Sequence, residues 1–191
     1  VASNDDFGEL SDTMNEMTDS IEQKTQKIIE IQNSIITGMA TMVESRDNST
    51  GGHIKRTSDC VRIFSDHLKT VDEYKDISDS FFNSVIKAAP MHDLGKIAVD
   101  DSILRKPGKF TDEEYEKMKA HSAEGARIVE NVLSSVDDIE FKNIAINVAH
   151  YHHEKWNGQG YPEKICNTEI PLEARIMALA DVFDALVSKR C

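Results

Sequence analysis

The chain has 191 residues, of which 39% are hydrophobic and 29% charged, which suits one domain with its own core plus an appendage and excludes wholesale disorder. Its formal net charge of −12 argues against a broad basic face for a nucleic-acid polymer, although a metal cluster with a few cations can still reverse the field locally for a small anion. No run approaches the roughly 18 apolar residues of a membrane span, no signal-peptide pattern opens the chain, and Cys60, Cys166 and Cys191 lack Cys-x-x-Cys spacing, which fits reduced thiols in a cytosolic protein.

In the first 45 residues, Leu10, Met14, Met17, Ile21, Ile28, Ile31, Ile35 and Met42 follow alternating steps of four and three, interrupted at Lys24 and Gly38. That rhythm predicts a long helix with a narrow seam for a partner helix, and hence a homodimer through residues 1–43. A single amphipathic helix lying on its own domain is the plainer alternative. The segments Asp6-Phe7-Gly8-Glu9-Leu10 and Met14-Asn15-Glu16-Met17 resemble the end of a HAMP signalling module, over residues 1–24. The resemblance implies upstream sensor domains and a cytoplasmic position beneath an inner-membrane receptor.

From residue 44 to 191 the pattern is that of a separate domain. Ser45 to Gly52 is a polar, Gly-containing breaker. A helix is expected from His53 to Leu68, with Ile54, Val61, Phe64 and Leu68 inward, and another from Asp79 to Met91 that delivers His92 and Asp93 and is stopped by Gly95. Thr111-Asp112-Glu113-Glu114 reads as a capping box opening a helix with Met118 and His121, followed by a further helix from Ala123. Phe141 to His153 forms a helix ending in three histidines, Trp156 to Pro162 a tight loop, and Glu173 to Lys189 a last helix with Ile176, Ala180, Phe183 and Leu186 buried. Alternating strand patterns are nearly absent, so the fold class is all-α.

Six of the seven histidines, together with Asp93 and Asp181, form a short list of candidate metal ligands. Imidazole and carboxylate suit divalent transition ions, and a carboxylate can bridge two of them. Neighbours on a regular helix point about 100° apart, so His92 and Asp93 serve one centre only where the helix frays. Asp181 stands between Ala180 and Val182, a costly place for an unpaired charge that a metal would relieve. Plainer readings exist for each: His53 as a loop residue or cap, His67 as surface, His150 as surface or as a neighbour of the ligands, and Asp184 as exposed or supporting.

Taken together, Gly52-His53-x-x-Arg56, His92-Asp93-x-Gly95-Lys96, His121, His152-His153-Glu154, Gly160-Tyr161-Pro162 and Asp181 resemble the HD-GYP domain, a bacterial branch of the HD metal-dependent phosphohydrolases, from about Ile35 onward. The resemblance implies a bundle of about five to seven helices and hydrolysis of cyclic di-GMP to linear pGpG, with GMP as a further product. It places metal ligands at His53, His92, Asp93, His121, His152, His153 and Asp181. Glu44 occupies the place of an additional carboxylate in members with three metals. Two or three ions are implied, Fe or Mn foremost, with Zn and Ni as further candidates. Asp93 and Lys96 would be catalytic, and Lys96, Tyr161 and Arg190 would contact substrate. Such metals activate water for attack on phosphorus and offset the developing charge. Family members usually continue through a Tyr-Lys pair and two more helices, so a chain ending at Cys191 is expected to be a truncated form. A weakly catalytic nucleotide-binding or protein-interaction module that keeps the metal site is the alternative function.

Overall fold

The structure is a computed structural model that describes residues 6–47 and 51–188. Seven α-helices occur among the described residues: α1 (Asp6–Glu44), α2 (His53–Leu68), α3 (Asp79–Ala88), α4 (Asp101–Leu104), α5 (Asp112–Val132), α6 (Ile139–Tyr151) and α7 (Leu172–Val187). No strand occurs among those residues, as expected for an all-α protein. The chain divides into two compact units, Val1–Ile36 and Thr37–Cys191. The first is the greater part of α1, whose seam residues from Leu10 to Ile35 are exposed.

The second unit begins with the last two turns of α1, where Ala40 and Val43 are buried. Three of its helices, α3, α5 and α6, start at side chains that satisfy free backbone amides. Ser78 accepts from the Phe81 amide, Asp138 accepts from the Phe141 amide, and Thr111 and Glu114 form the reciprocal capping box the sequence predicts. α5 packs against α6 and against the short 3-10 turn Leu94–Ala98, α3 lies on α6, and α2 lies on α7. The core joins Val61, Phe82, Val85, Met91, Val129, Val148 and Met177.

Three expectations change. Helix α3 ends at Ala88, and the chain passes through a 3-10 turn at Ala89–Met91 containing Pro90. Proline, which supplies no amide hydrogen to an α-helical ladder, coincides with the break that Gly95 was expected to make. Gly95 has a different task. A Cβ built there would lie 1.8 Å from the His121 carbonyl oxygen and 2.5 Å from the Gly125 amide nitrogen, so it is the point where the chain crosses α5. That crossing also explains why α5 is one continuous helix where two were expected: Gly125 in its middle makes room for Gly95.

The third change concerns α7. Phe183 and Leu186 are 47% and 80% exposed, while Asp184 is 3% exposed. The inward stripe is Ala174, Met177, Ala180 and Asp184. A carboxylate tolerates that position because Arg56 neutralises it and both Arg56 and His53 hydrogen-bond it, leaving Phe183 at the margin, edge-on to Phe64.

Candidate metal centre

The break between α3 and α5 sets the geometry of His92 and Asp93. His92 keeps helical dihedrals, whereas Asp93 has φ −103° and ψ 9°, between two 3-10 turns. The pair thereby converges, with His92 Nε2 3.3 Å from Asp93 Oδ2. α5 contributes His121, the end of α6 contributes His152 and His153, α2 opens with His53, and α7 supplies Asp181.

These side chains form two groups whose candidate ligand atoms lie within 4.8 Å of one another: Asp93, His121, His152 and His153, and separately His53, His92 and Asp181. Asp93 stands between them. Its Oδ2 faces His92, while its Oδ1 is 3.5 Å from His121 Nε2 and 3.7 Å from His152 Nε2. The His53 and His92 rings are 5.4 Å apart and those of His92 and His152 5.3 Å apart, so the imidazoles form one continuous cluster.

The orientation of the rings tests whether the cluster suits metal. His92 Nδ1 is 2.8 Å from the Ala89 carbonyl, His121 Nδ1 2.7 Å from the Met118 carbonyl, and His152 Nδ1 3.0 Å from the Ala149 carbonyl. A carbonyl can only accept, so each Nδ1 carries the hydrogen and each Nε2 turns a lone pair inward. His53 Nδ1 is likewise 2.8 Å from Asp184 Oδ2. His92 Nε2 and Asp93 Oδ1 are buried without a hydrogen-bond partner. Lone pairs and a carboxylate oxygen converging without donors between them form a donor set for cations, and this residue set fits divalent transition metals.

Electrostatics point the same way. Burial pushes the His121 imidazole down to about 4, against the pull of Asp93, with neighbouring His152 adding to the fall. Burial, with His152 and His121, also holds His153 well below the usual range, so both rings are neutral at pH 7. Burial alone would raise the Asp93 carboxyl, but the Lys96 ammonium, with neighbouring His92, outweighs it and holds the group well below the usual carboxylate range.

Other expected site residues are placed as follows. Glu44 is in neither group: its Oε1 accepts from the His53 amide at 2.7 Å, capping α2 beside a ligand. Lys96 Nζ is 2.8 Å from Asp93 Oδ2 and 2.9 Å from Asp47 Oδ2, a cation held at the edge of the cluster. The Tyr161 ring lies 4.7 Å from that of His153, and burial pushes its phenol up, so it stays protonated. His150 turns away to Glu163 at 3.2 Å, and His67 is exposed. Arg190 lies outside the described residues.

Three contributors had no settled task in the sequence, where Asp184 reads as exposed or supporting. Asp184 braces His53 and is itself held by the Arg56 guanidinium, which keeps its carboxyl far below the usual range. Its position three residues after Asp181 was the available signal. Asp47 gave no signal beyond an acidic residue in a polar loop. Glu154 belongs to the His-His-Glu string but had no assigned task. It is buried, and its Oε1 accepts from the Glu163 and Lys164 amides at 2.7 and 2.9 Å. Together with a Tyr161 amide hydrogen bond to the His153 carbonyl, it ties the Gly160-Tyr161-Pro162 loop to the end of α6. Gly160 permits that approach, since a Cβ there would lie 2.4 Å from the Lys155 amide nitrogen.

Comparison with known proteins agrees with this geometry. The HD domain family matches residues 23–191. A cyclic di-GMP phosphodiesterase of Vibrio cholerae is 40% identical over the whole chain, which spans 39% of that relative. The cyclic di-GMP phosphodiesterase response regulator RpfG of Xanthomonas campestris is 35% identical over 94% of the chain and 46% of its own length. A 3'3'-cGAMP-specific phosphodiesterase of Vibrio cholerae is 35% identical over 84% of the chain and 28% of its own length. The chain thus spans less than half the length of these relatives, and across that span its two-group His/Asp centre and Gly-Tyr-Pro loop place it in the HD domain family, in the HD-GYP branch.

Proposed function

We propose that the chain is the catalytic domain of a metal-dependent phosphodiesterase that hydrolyses cyclic di-GMP to linear pGpG, with GMP as a further product. The observation that carries this reading is Asp93 standing between two groups of ligand atoms, each of a size for one ion. His53, His92 and Asp181 would hold one metal, His121, His152 and His153 the other, with Asp93 shared and Glu44 available beside His53 for a third. When bound, the metals supply Lewis acidity that activates water and polarises phosphoryl oxygens. Fe or Mn suits this mixture of imidazole and carboxylate, and Zn or Ni would also be accepted.

The chain's own residues supply the rest. The His121 imidazole, kept neutral by burial and with its Nδ1 on the Met118 carbonyl, offers Nε2 without first losing a proton, and carbonyls hold the His92 and His152 rings in the same orientation. Lys96 presents a cation beside Asp93, where it neutralises a phosphoryl oxygen or the departing oxygen. Tyr161, held over His153, offers a phenol donor and a ring to substrate, and Arg190 would add a bidentate phosphate contact. The exposed stripe of α1 would pair with a second copy, linking the domain to upstream sensor domains and to a cytoplasmic place beneath a membrane receptor. No helix among the described residues is itself long and apolar enough to cross a membrane.

The test is metal analysis of protein purified without chelator, followed by incubation with cyclic di-GMP and, separately, 3'3'-cGAMP. Two or more transition metals per chain and release of pGpG are expected. Absence of bound metal sinks the enzyme reading. Bound metal without product from either nucleotide favours a binding module, and faster cleavage of 3'3'-cGAMP would move the substrate to that relative's.

A further inference from the structure

One cluster adjoining the metal centre has no part in the reading above. Tyr115 and Lys119 lie one turn apart on α5, two residues before His121 at their nearer end. The Lys119 ammonium sits 4.6 Å from the Tyr115 ring centroid and 5.8 Å from that of Tyr161. The two tyrosine rings are 6.4 Å apart and nearly perpendicular. Tyr161 in turn lies 4.7 Å from His153 and 6.3 Å from His121. The Lys119–Tyr115–Tyr161 group therefore begins one ring beyond the metal ligands and leads outward. Tyr115 is 45% exposed, and the Lys119 side chain is 24% exposed.

We propose that Tyr115 and Lys119 form a subsite for the part of a cyclic dinucleotide that is not being cleaved, with Lys119 on its second phosphate and Tyr115 against the adjoining purine. A ring with two phosphates cannot place both on one metal centre in the same orientation, so the second needs a cation at a distance from the first. Lys119 is such a cation. In a chain of net charge −12 a lysine fixed between two aromatic rings is also a local exception to the acidic surface. Its carboxylate partner Glu116, at 2.6 Å, is itself 70% exposed, so the pair is solvated and open to exchange for a phosphate. The ring faces hold the lysine without neutralising it. When the ammonium moves to phosphate, the exposed face of Tyr115 is free for a purine, whose stacking on an aromatic side chain needs no particular base-edge pattern. The inference rests on the phosphodiesterase reading and extends it to the far half of the substrate.

The experiment compares two substrates on the whole chain loaded with metal: cyclic di-GMP, and bis(p-nitrophenyl) phosphate, a diester with neither a second phosphate nor a purine. Lys119→Ala is expected to raise KM for cyclic di-GMP about tenfold or more, with kcat changed much less, as for loss of one charged hydrogen bond. The ratio of kcat/KM for the two substrates should fall by the same factor, and Lys119→Arg should restore most of it. Tyr115→Ala should lower the ratio and Tyr115→Phe should not. Metal content per chain, measured on each variant, separates this from damage to His121, which would lose metal and slow both substrates together. Equal losses on both substrates, or a wild-type ratio in Lys119→Ala, overturn the subsite alone. A wild-type protein that cleaves the small diester but no cyclic dinucleotide overturns the substrate reading and the subsite with it.

Discussion

At the level of single residues, Asp184 governs a ligand it does not replace. With His53 Nδ1 2.8 Å from Asp184 Oδ2, the imidazole hydrogen is held on that side, and Nε2 is left facing Asp181 at 3.5 Å. Arg56 and Ser188 occupy the other lone pairs of Asp184, so the carboxylate cannot swing away. In Asp184→Ala the ring can rotate or change tautomer, and the guanidinium of Arg56 loses the carboxylate it grips. We expect that variant to lose one of the two metals per chain, with affinity at the His53 group falling about 10- to 100-fold. Asp184→Asn, which keeps an acceptor but not the charge, should fall between the two. Elemental analysis at fixed low free metal checks the stoichiometry, and the absorption bands of the cobalt-substituted protein check the geometry at the group that is lost. Two metals with wild-type affinity and wild-type spectra in both variants would show that Asp184 serves only to fold α7.

At the level of elements, two glycines in helical surroundings make opposite demands. Gly95 meets the backbone of α5 with no space for a methyl group, whereas a Cβ at Gly38 in α1 meets nothing within 4 Å. Gly95→Ala should therefore destabilise the second unit by about 1–3 kcal/mol or more, because backbone rather than a flexible side chain must move. Gly38→Ala should stabilise the protein by about 0.5–1 kcal/mol, through helix propensity alone. Denaturant unfolding of both variants measures the two shifts, and equal effects would mean that the crossing is not tight. The same contrast marks what was legible in the sequence. Helix positions, the capping box at Thr111 and the inward face of α2 follow from local periodicity and cap chemistry, and so were readable. The crossing at Gly95 and Gly125, which makes α5 continuous, depends on residues thirty positions apart and left only two ambiguous glycines. The side chains that gather in the two His/Asp groups could be named because imidazole and carboxylate are rare on inward helix faces. The tasks of Asp47 and Glu154 were not readable, and Asp184 stood between exposed and supporting, because a charged side chain looks the same in sequence whether it braces a site or meets solvent.

At the level of the whole molecule, the apolar stripe of α1 stands exposed along the first unit. Leu10, Met14, Met17, Ile21, Ile28, Ile31 and Ile35 are between 49% and 61% exposed and recur at the four-three spacing of a coiled-coil seam. Each such side chain, fully covered, contributes about 1.5–3 kcal/mol, so seven of them from each of two copies suffice to hold a dimer. A solitary helix with this stripe in water has few tertiary contacts to support it, and helices of that kind owe most of their stability to packing. In the other unit, the last residue of α1 and the segment after it reach residues of the candidate metal centre. Glu44 caps the helix that opens with His53, Asp47 holds Lys96, and Arg46 bonds to the Ile97 and Val99 carbonyls and to Asp101. A seam that fixes the pairing of α1 is thus continuous in sequence with residues that touch two site side chains. The dimer is testable apart from catalysis. Sedimentation should find a dimer for the wild-type chain and a monomer for the double variant Ile21→Lys, Ile28→Lys, because two charges per helix cannot be buried in a narrow apolar seam. Far-ultraviolet circular dichroism should show helix lost to the extent of the first unit, with metal content per chain retained. An unchanged sedimentation coefficient would mean that the stripe is not the dimer interface and that α1 is covered by something other than its own copy.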